Sequence, residues 1–213
     1  MELIRTLIMH DGGLPGLAAM TTLDRPEACV VWHMPHPDRA VATRQQACIT
    51  AQMQALGCTS FVGAGPLNHS ITPSGPGKAF SACDEDQALE SCTVLMAAIA
   101  ARQHGCHRVL WPENADDDAD RLSSLCRRAV LIQHLANLTS DGEEPPPSQM
   151  LEIDIPMLDC SDRQVADLAI RSGVPLDQIH WCTSRADAPC ERCASCIRWH
   201  KALSELGLAA VQQ

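Results

Sequence analysis

Apolar residues recur along this chain in two rhythms that alternate. Five short runs have strand length: Leu3 to Met9, Ala28 to Met34, Cys58 to Val62, His107 to Trp111 and Met150 to Ile155. The stretches between them carry apolar positions at helical intervals. After the first run, His10-Asp11-Gly12-Gly13 breaks the strand and Leu14 to Met20 predicts a helix, with Pro15 in a first turn where its missing N–H costs nothing. Val41, Ala42, Ile49, Met53 and Leu56 predict a helix over 38–56, which Gly57 is placed to end. Residues 89–105 have an apolar centre, Val94 to Ala100, that runs nearly all round the helix and predicts burial against a sheet. A further helix is expected from the acidic run Asp116–Asp120 to about Leu138. Another spans Arg163 to Ser172, with capping residues Asp159 to Asp162 ahead of it and Gly173 behind. Ala202, Leu203, Leu206 and Leu208 predict a short amphipathic helix at the end.

Strands alternating with helices at this spacing imply βαβ units. The expected fold is α/β, with a five-stranded, mostly parallel sheet covered by helices on both faces. At 213 residues the chain has room for one substantial core and a small appendage, read as an α/β domain over 1–176 and a C-terminal segment over 177–213 packed on it. The Gly- and Pro-rich residues 63–78 read as a long loop, a candidate lid, and 140–148 as an exposed linker.

Charge narrows the partners. A formal net charge of −10 argues against broad adhesion to nucleic acid or to an anionic membrane. No apolar run approaches the ~20 residues of a membrane span. Arg127, Arg128, Arg185, Arg192, Arg198 and Lys201 form two local basic groups that read as solvated surface charge. The acidic run is explained by the positive end of a helix dipole without a metal.

Cysteine supplies the strongest chemistry. Four of the twelve, Cys182, Cys190, Cys193 and Cys196, are spaced C-x7-C-x2-C-x2-C, the ligand count and chain reversals of a tetrahedral thiolate site. Zinc is the expected ion, and four thiolates also suit an iron–sulfur cluster, which spacing alone leaves open. Disulfides need an oxidising compartment, and Met-Glu-Leu-Ile-Arg has no cationic lead into a long apolar segment, so the expected location is cytoplasmic. The other eight, Cys29, Cys48, Cys58, Cys83, Cys92, Cys106, Cys126 and Cys160, read as core filling.

With these features in place the chain resembles the PP-loop nucleotide enzymes of Rossmann-like, adenine-nucleotide alpha-hydrolase fold, and within them the 7-cyano-7-deazaguanine synthases. The resemblance rests on the opening strand and glycine loop, the five β/α units, and the terminal cluster, whose four cysteines match the family's zinc ligands. Arg198, Trp199 and Gly207 continue the pattern, as does the stretch from Ile155 to Val174 before the cluster. It implies ATP- and Mg-dependent conversion of a 7-carboxy-7-deazaguanine to its nitrile, a C–N ligase reaction, and a dimeric enzyme. It also places Asp11, Gly12, Gly13 and Gly16 at the nucleotide, with His33, His36 and Arg39 as polar contributors. The family loop reads Ser-Gly-Gly-x-Asp-Ser, whereas this chain has Asp11-Gly12-Gly13-Leu14-Pro15-Gly16. Both glycines remain, while both hydroxyls and the loop's own acid are gone. Asp11 sets a negative charge against a polyphosphate, worth on the order of 4 kcal/mol per unit charge at close range. Asp84-Glu85-Asp86-Gln87 replaces a Pro-Gly-Arg-Asn-like stretch, and Trp111-Pro112-Glu113-Asn114 replaces a Tyr-containing substrate segment.

Two function classes follow: a divergent synthase-like protein that binds a purine or deazapurine, or a non-catalytic, metal-stapled relative that acts as a binding partner or scaffold. A third, sulfur transfer to tRNA, would rest on Cys83, Cys92 or Cys106.

Overall fold

The structure, a computed structural model, describes residues 5–64, 82–138, 145–146, 149–184 and 188–208, with 82–86 as backbone alone. Its elements in chain order are β1 (Thr6–Met9), α1 (Leu14–Thr21), β2 (Val30–His33), α2 (Arg39–Ala55), β3 (Ser60–Gly63), α3 (Ala82–Gln103), β4 (Arg108–Leu110), α4 (Ala119–Asn137), β5 (Glu152–Asp154), α5 (Asp162–Ile170) and α6 (Ala194–Glu205). Single 3₁₀ turns at Pro26–Ala28 and Leu176–Gln178 precede β2 and the cysteine cluster.

All strand pairings are parallel, in the order β3-β2-β1-β4-β5. From β1 the chain steps outward through β2 to β3, then crosses back to the far side of β1 for β4 and β5. That reversal opens a crevice at the carboxyl ends of β1 and β4, the place where open parallel sheets bind ligands.

Strand alternation divides the core into two layers. Ile8, Val31 and Leu110 face α1, α2, α5 and α6, where they meet Leu17, Ile49, Val165 and Trp199. Leu7, Met9, Trp32 and Val109 face α3 and α4, meeting Val94, Ala97, Leu125 and Ile132. The central strands β1 and β2 are buried throughout, as expected for a sheet covered on both faces. Side-chain caps open three helices: Asp38 accepts from Ala40 and Val41, Asp118 in the acidic run accepts from Arg121, and Ser161, within the predicted capping stretch, forms a capping box with Gln164.

Three expectations change. Helix α3 begins at Ala82, so Asp84 to Asp86 lie within it and not ahead of it. Its centre is not buried all round: Val94, Ala97, Ala98 and Ala101 are covered while Ile99 is 50% exposed, because only one flank of the helix meets the sheet. The last helix starts inside the cysteine cluster, because Cys193 Sγ accepts from Cys196 N and serves as its cap, and Leu206 and Leu208 fall past its end. The predicted lid lies outside the described residues from 65 onward, and so does most of the predicted linker. Among the described residues no helix is long and apolar enough to cross a membrane.

Candidate functional site

The metal centre assembles where the segment after Leu176–Gln178 meets α6. The sulfur atoms of Cys182, Cys190, Cys193 and Cys196 all lie within 4.8 Å of one another, with Cys190 Sγ 4.0 Å from Cys196 Sγ. A single tetrahedral ion with metal–sulfur bonds of 2.3 Å holds its thiolates about 3.8 Å apart, so the four residues fit one ion. Backbone N–H groups point at the sulfurs: Ser184 and Cys190 donate to Cys182 Sγ at 3.4 and 3.3 Å, Cys193 to Cys190 Sγ at 3.4 Å, and Cys196 to Cys193 Sγ at 3.4 Å. Such donors favour the charged form of a thiol. At Cys193 burial would raise the pKa, but hydrogen bonds from Thr183 and Cys196 outweigh it and bring the thiol to about 6.

Arg198, on α6 just past the last cysteine, ties this centre to the sheet. Its Nε and Nη2 donate to Asp162 Oδ2 and Oδ1 at 2.9 and 2.6 Å, and Nη2 also reaches Asn114 Oδ1 at 2.6 Å. The guanidinium lies 4.6 Å over the Trp199 ring. Burial would raise the Asp162 carboxyl, yet Arg198 and Asn114 hold it below its ordinary value. Neither Asn114 nor Asp162 carries a sequence signal for this role, since the three residues meet only once β4, α5 and α6 are packed.

The glycine loop between β1 and α1 is closed on itself. Gln52 Nε2 donates to the carbonyls of Gly12 and Gln178, both at 2.8 Å, so its Oε1 must accept. His10 Nε2, 2.6 Å from that oxygen, therefore carries the proton, and His10 Nδ1 is left to accept a long 3.4 Å bond from Gly12 N. Asp11 Oδ1 accepts from Gly13 N at 2.9 Å. His180 N donates to Gly12 O at 2.8 Å and fastens the loop to the segment that leads into the cysteines. His10 is 4% exposed, and burial, partly opposed by Asp11 and Gln52, lowers its pKa to about 4.

The imidazole occupies the place of a side chain at residue 16. A Cβ on Gly16 would stand 1.9 Å from His10 Nδ1. Gly12 has φ +85 and its Cβ would meet Gln45 O at 3.0 Å, while one on Gly13 would meet Asp11 Oδ1 at 2.9 Å. A polyphosphate needs free N–H donors here. The Gly12 and Gly13 donors are taken by neighbouring side chains and Pro15 has none, which leaves the N–H groups of Leu14 and Gly16 at the start of α1 with the Asp11 carboxylate beside them, a poor fit for that group.

Beside the loop, at the carboxyl ends of β1, β2 and β4, a cavity of about 340 Å³ remains. Its buried floor is made by Met9, Trp32 and Trp111, and its more open wall carries Asp11, Glu90 and Glu113. A polar cleft of about 170 Å³ shares Asp11, Pro15 and Glu113 with it and runs to His36, His180 and Arg198. Burial pushes the Glu113 carboxyl up to about 7, with Glu90 adding to the rise and Arg121 and Arg198 opposing it. Its side chain is 27% exposed and opens on the cavity while protein atoms surround it elsewhere. Arg121 pairs with Glu113 and Arg128 with Glu90, both at 2.6 Å, and Arg128 also lies 5.1 Å over the Trp111 ring.

Of the polar contributors expected after β2, His36 lines the polar cleft and accepts from Asp38 N at 3.0 Å, whereas Arg39 is exposed at the start of α2. His33 is buried, with Nδ1 2.9 Å from His10 O and Nε2 without a partner among the described residues. Arg128 and Arg198, read as solvated charge, are both engaged in ion pairs, and Arg185 lies outside the described residues. Core filling holds for Cys29, Cys58 and Cys106, but Cys92 is exposed. The side chain of Cys83 lies outside the described residues.

Comparison with known proteins adds three findings. The model of the family described as queuosine biosynthesis protein QueC matches residues 92–207, more than half of the chain. None of the curated proteins searched matches. Among solved structures, the U34-tRNA thiolase NcsA from Methanococcus maripaludis, with its [4Fe-4S] cluster, superposes with a TM-score of 0.55 at 14% identity. The match covers 97% of this chain and 66% of the thiolase, so this chain spans a little under two thirds of that neighbour. At that identity the likeness is one of fold, which is the PP-loop type.

Proposed function

The chain belongs to the QueC family, and we propose that it is a member that binds a deazapurine-type heterocycle without activating it by ATP. The carrying observation is the pairing of a phosphate cradle whose glycine donors are taken with an open cavity. Gly12 and Gly13 donate to His10 and Asp11, and the His10 ring lies where residue 16 would hold a hydroxyl. The Trp-floored cavity next to them has the size and mixed polar lining of a small-molecule site. Its carboxylates suit the N–H edge of a purine-like ring and oppose a polyphosphate.

The metal of this reading is a structural zinc. Sulfur separations near those of a single tetrahedral ion support it over a cube of four irons, which needs its four cysteines at separate corners. A closed thiolate set leaves no position for substrate, so the ion's contribution is to hold α6 and Arg198 in place. The fold shared with a tRNA thiolase does not carry that activity here, and an acid-walled cleft disfavours a polyanion.

Isothermal titration of the zinc-loaded protein with Mg·ATP and with 7-cyano-7-deazaguanine tests the proposal. Heat is expected with the deazaguanine alone. Formation of AMP from ATP that depends on added 7-carboxy-7-deazaguanine would overturn it and restore the synthase reading.

A further inference from the structure

Resting on that heterocycle-binding reading, we infer that the cavity selects a heterocycle bearing a positive charge, an ammonium or amidinium group, over the carboxylate that the family's synthases take. Among the described residues Asp11, Glu90 and Glu113 are the charged groups lining the cavity, and no Lys or Arg lines it. The two arginines that pair with Glu90 and Glu113 stand behind the wall: Arg128 lies against the Trp111 ring and Arg121 on α4. Among the described residues no cation pairs with Asp11, whose carboxylate accepts from Gly13 N.

Among the described residues that line the cavity, a carboxylate ligand would meet like charge and no cationic partner to receive it. An ammonium would meet two or three acceptors and the indole of Trp111, whose ring already accepts the Arg128 guanidinium at 5.1 Å. Electrostatic discrimination of this kind is set as much by what the site repels as by what it attracts. The same wall accounts for the exclusion of ATP, since phosphate and carboxylate are rejected alike.

Three ligands that differ only at position 7 of the deazaguanine ring separate the outcomes: aminomethyl, cyano and carboxy, titrated at pH 8 into the zinc-loaded protein. The aminomethyl compound is expected to bind at least ten times more tightly than the nitrile, and the carboxylate at least ten times more weakly. Absence of heat with all three removes the heterocycle-binding reading itself. A nitrile or carboxylate that binds as tightly as the ammonium overturns the charge selection and leaves that reading standing. Glu90→Gln and Asp11→Asn should each reduce the ammonium-to-nitrile ratio several-fold, and an unchanged ratio in both variants also overturns it. The wild-type ratio decides the question even where one variant fails to fold.

Discussion

The cysteine centre and the glycine loop use the same material, turns that turn their backbone N–H groups inward, to opposite ends. At the cysteines four N–H groups donate to sulfur, and each such bond makes a thiolate easier to hold, so the centre stays ready for a cation. In the loop the Gly12 and Gly13 N–H groups donate to His10 and Asp11, so the two glycine donors are spent on the protein's own side chains and only the first N–H groups of α1 face outward for an anion. The family match follows this division: residues 92–207 contain the cysteines and Arg198 but not the loop. Both ends of the comparison meet at His180, whose N–H holds Gly12 O two residues before Cys182. A PP-loop fold can thus keep the scaffold side of its architecture while the phosphate side is refilled with side chains.

The largest effect is expected from removing the metal. Structural zinc in zinc-finger peptides contributes about 10–16 kcal/mol, comparable with the whole stability of a domain, and sets the scale for a four-thiolate metal centre. Chelation, or Cys196→Ser, should release α6 and with it Trp199 and Leu203, which belong to the main core cluster. Hydrogen exchange across 188–208 is the measurement. Protection unchanged after complete metal removal would sink the structural role, and loss of protection spreading to residues 10–13 would show that His180 couples the two regions.

A smaller effect is expected at Gly16. Its Cβ would stand 1.9 Å from His10 Nδ1, and the ring cannot swing away without leaving Gln52. Gly16→Ser should cost about 3 kcal/mol by overpacking, and His10→Ala about 2–3 kcal/mol through the space it leaves. Together the two should cost at least 1 kcal/mol less than their sum, because each relieves the other. Urea denaturation of the four proteins measures the cycle. Simple additivity would mean that the ring does not occupy the place of the residue 16 side chain, and the comparison with the cysteine centre would lose its loop half.

How far the sequence carried this picture depends on whether the information was local. Strand runs, the ends of α2 and α5 and the cysteine spacing are short-range patterns, and all were readable. The ends of the strands were harder: β2, β4 and β5 are all shorter than their apolar runs, because a run of apolar residues continues past the last ladder bond into the loops. Helix α6 was placed too late because its cap is a cysteine sulfur, an acceptor outside the usual capping set. His10 went unnoticed although it adjoins Asp11, for its meaning comes from Gln52, 42 residues further on. Asn114 and Asp162, partners of Arg198, are likewise separated by 48 residues and joined only by packing. The lost hydroxyl at residue 16 was visible as an absence, and its cause required the fold.

The smallest effect sharpens the loop side through pH. The His10 pKa falls from the ordinary 6.5 to about 4 because burial disfavours the imidazolium more than Asp11 and Gln52 favour it. The unfolded chain therefore takes up a proton that the native protein refuses, and stability is lost as pH falls from 6.5 towards 4, by roughly 3 kcal/mol in full. Glu113 acts with the opposite sign: its raised pKa of about 7 costs stability as pH rises from 4.5. The two effects offset each other in the wild type between those values. His10→Gln keeps a partner for Gln52 and cannot titrate, so its stability relative to wild type should improve steadily from pH 6.5 to 4. Contributions from Glu113 and from the cysteine centre, present in both proteins, cancel in that difference. A difference independent of pH would mean that His10 is protonated in the native loop. Its Nδ1 could not then accept from Gly12, and the cradle would be held shut by Asp11 alone.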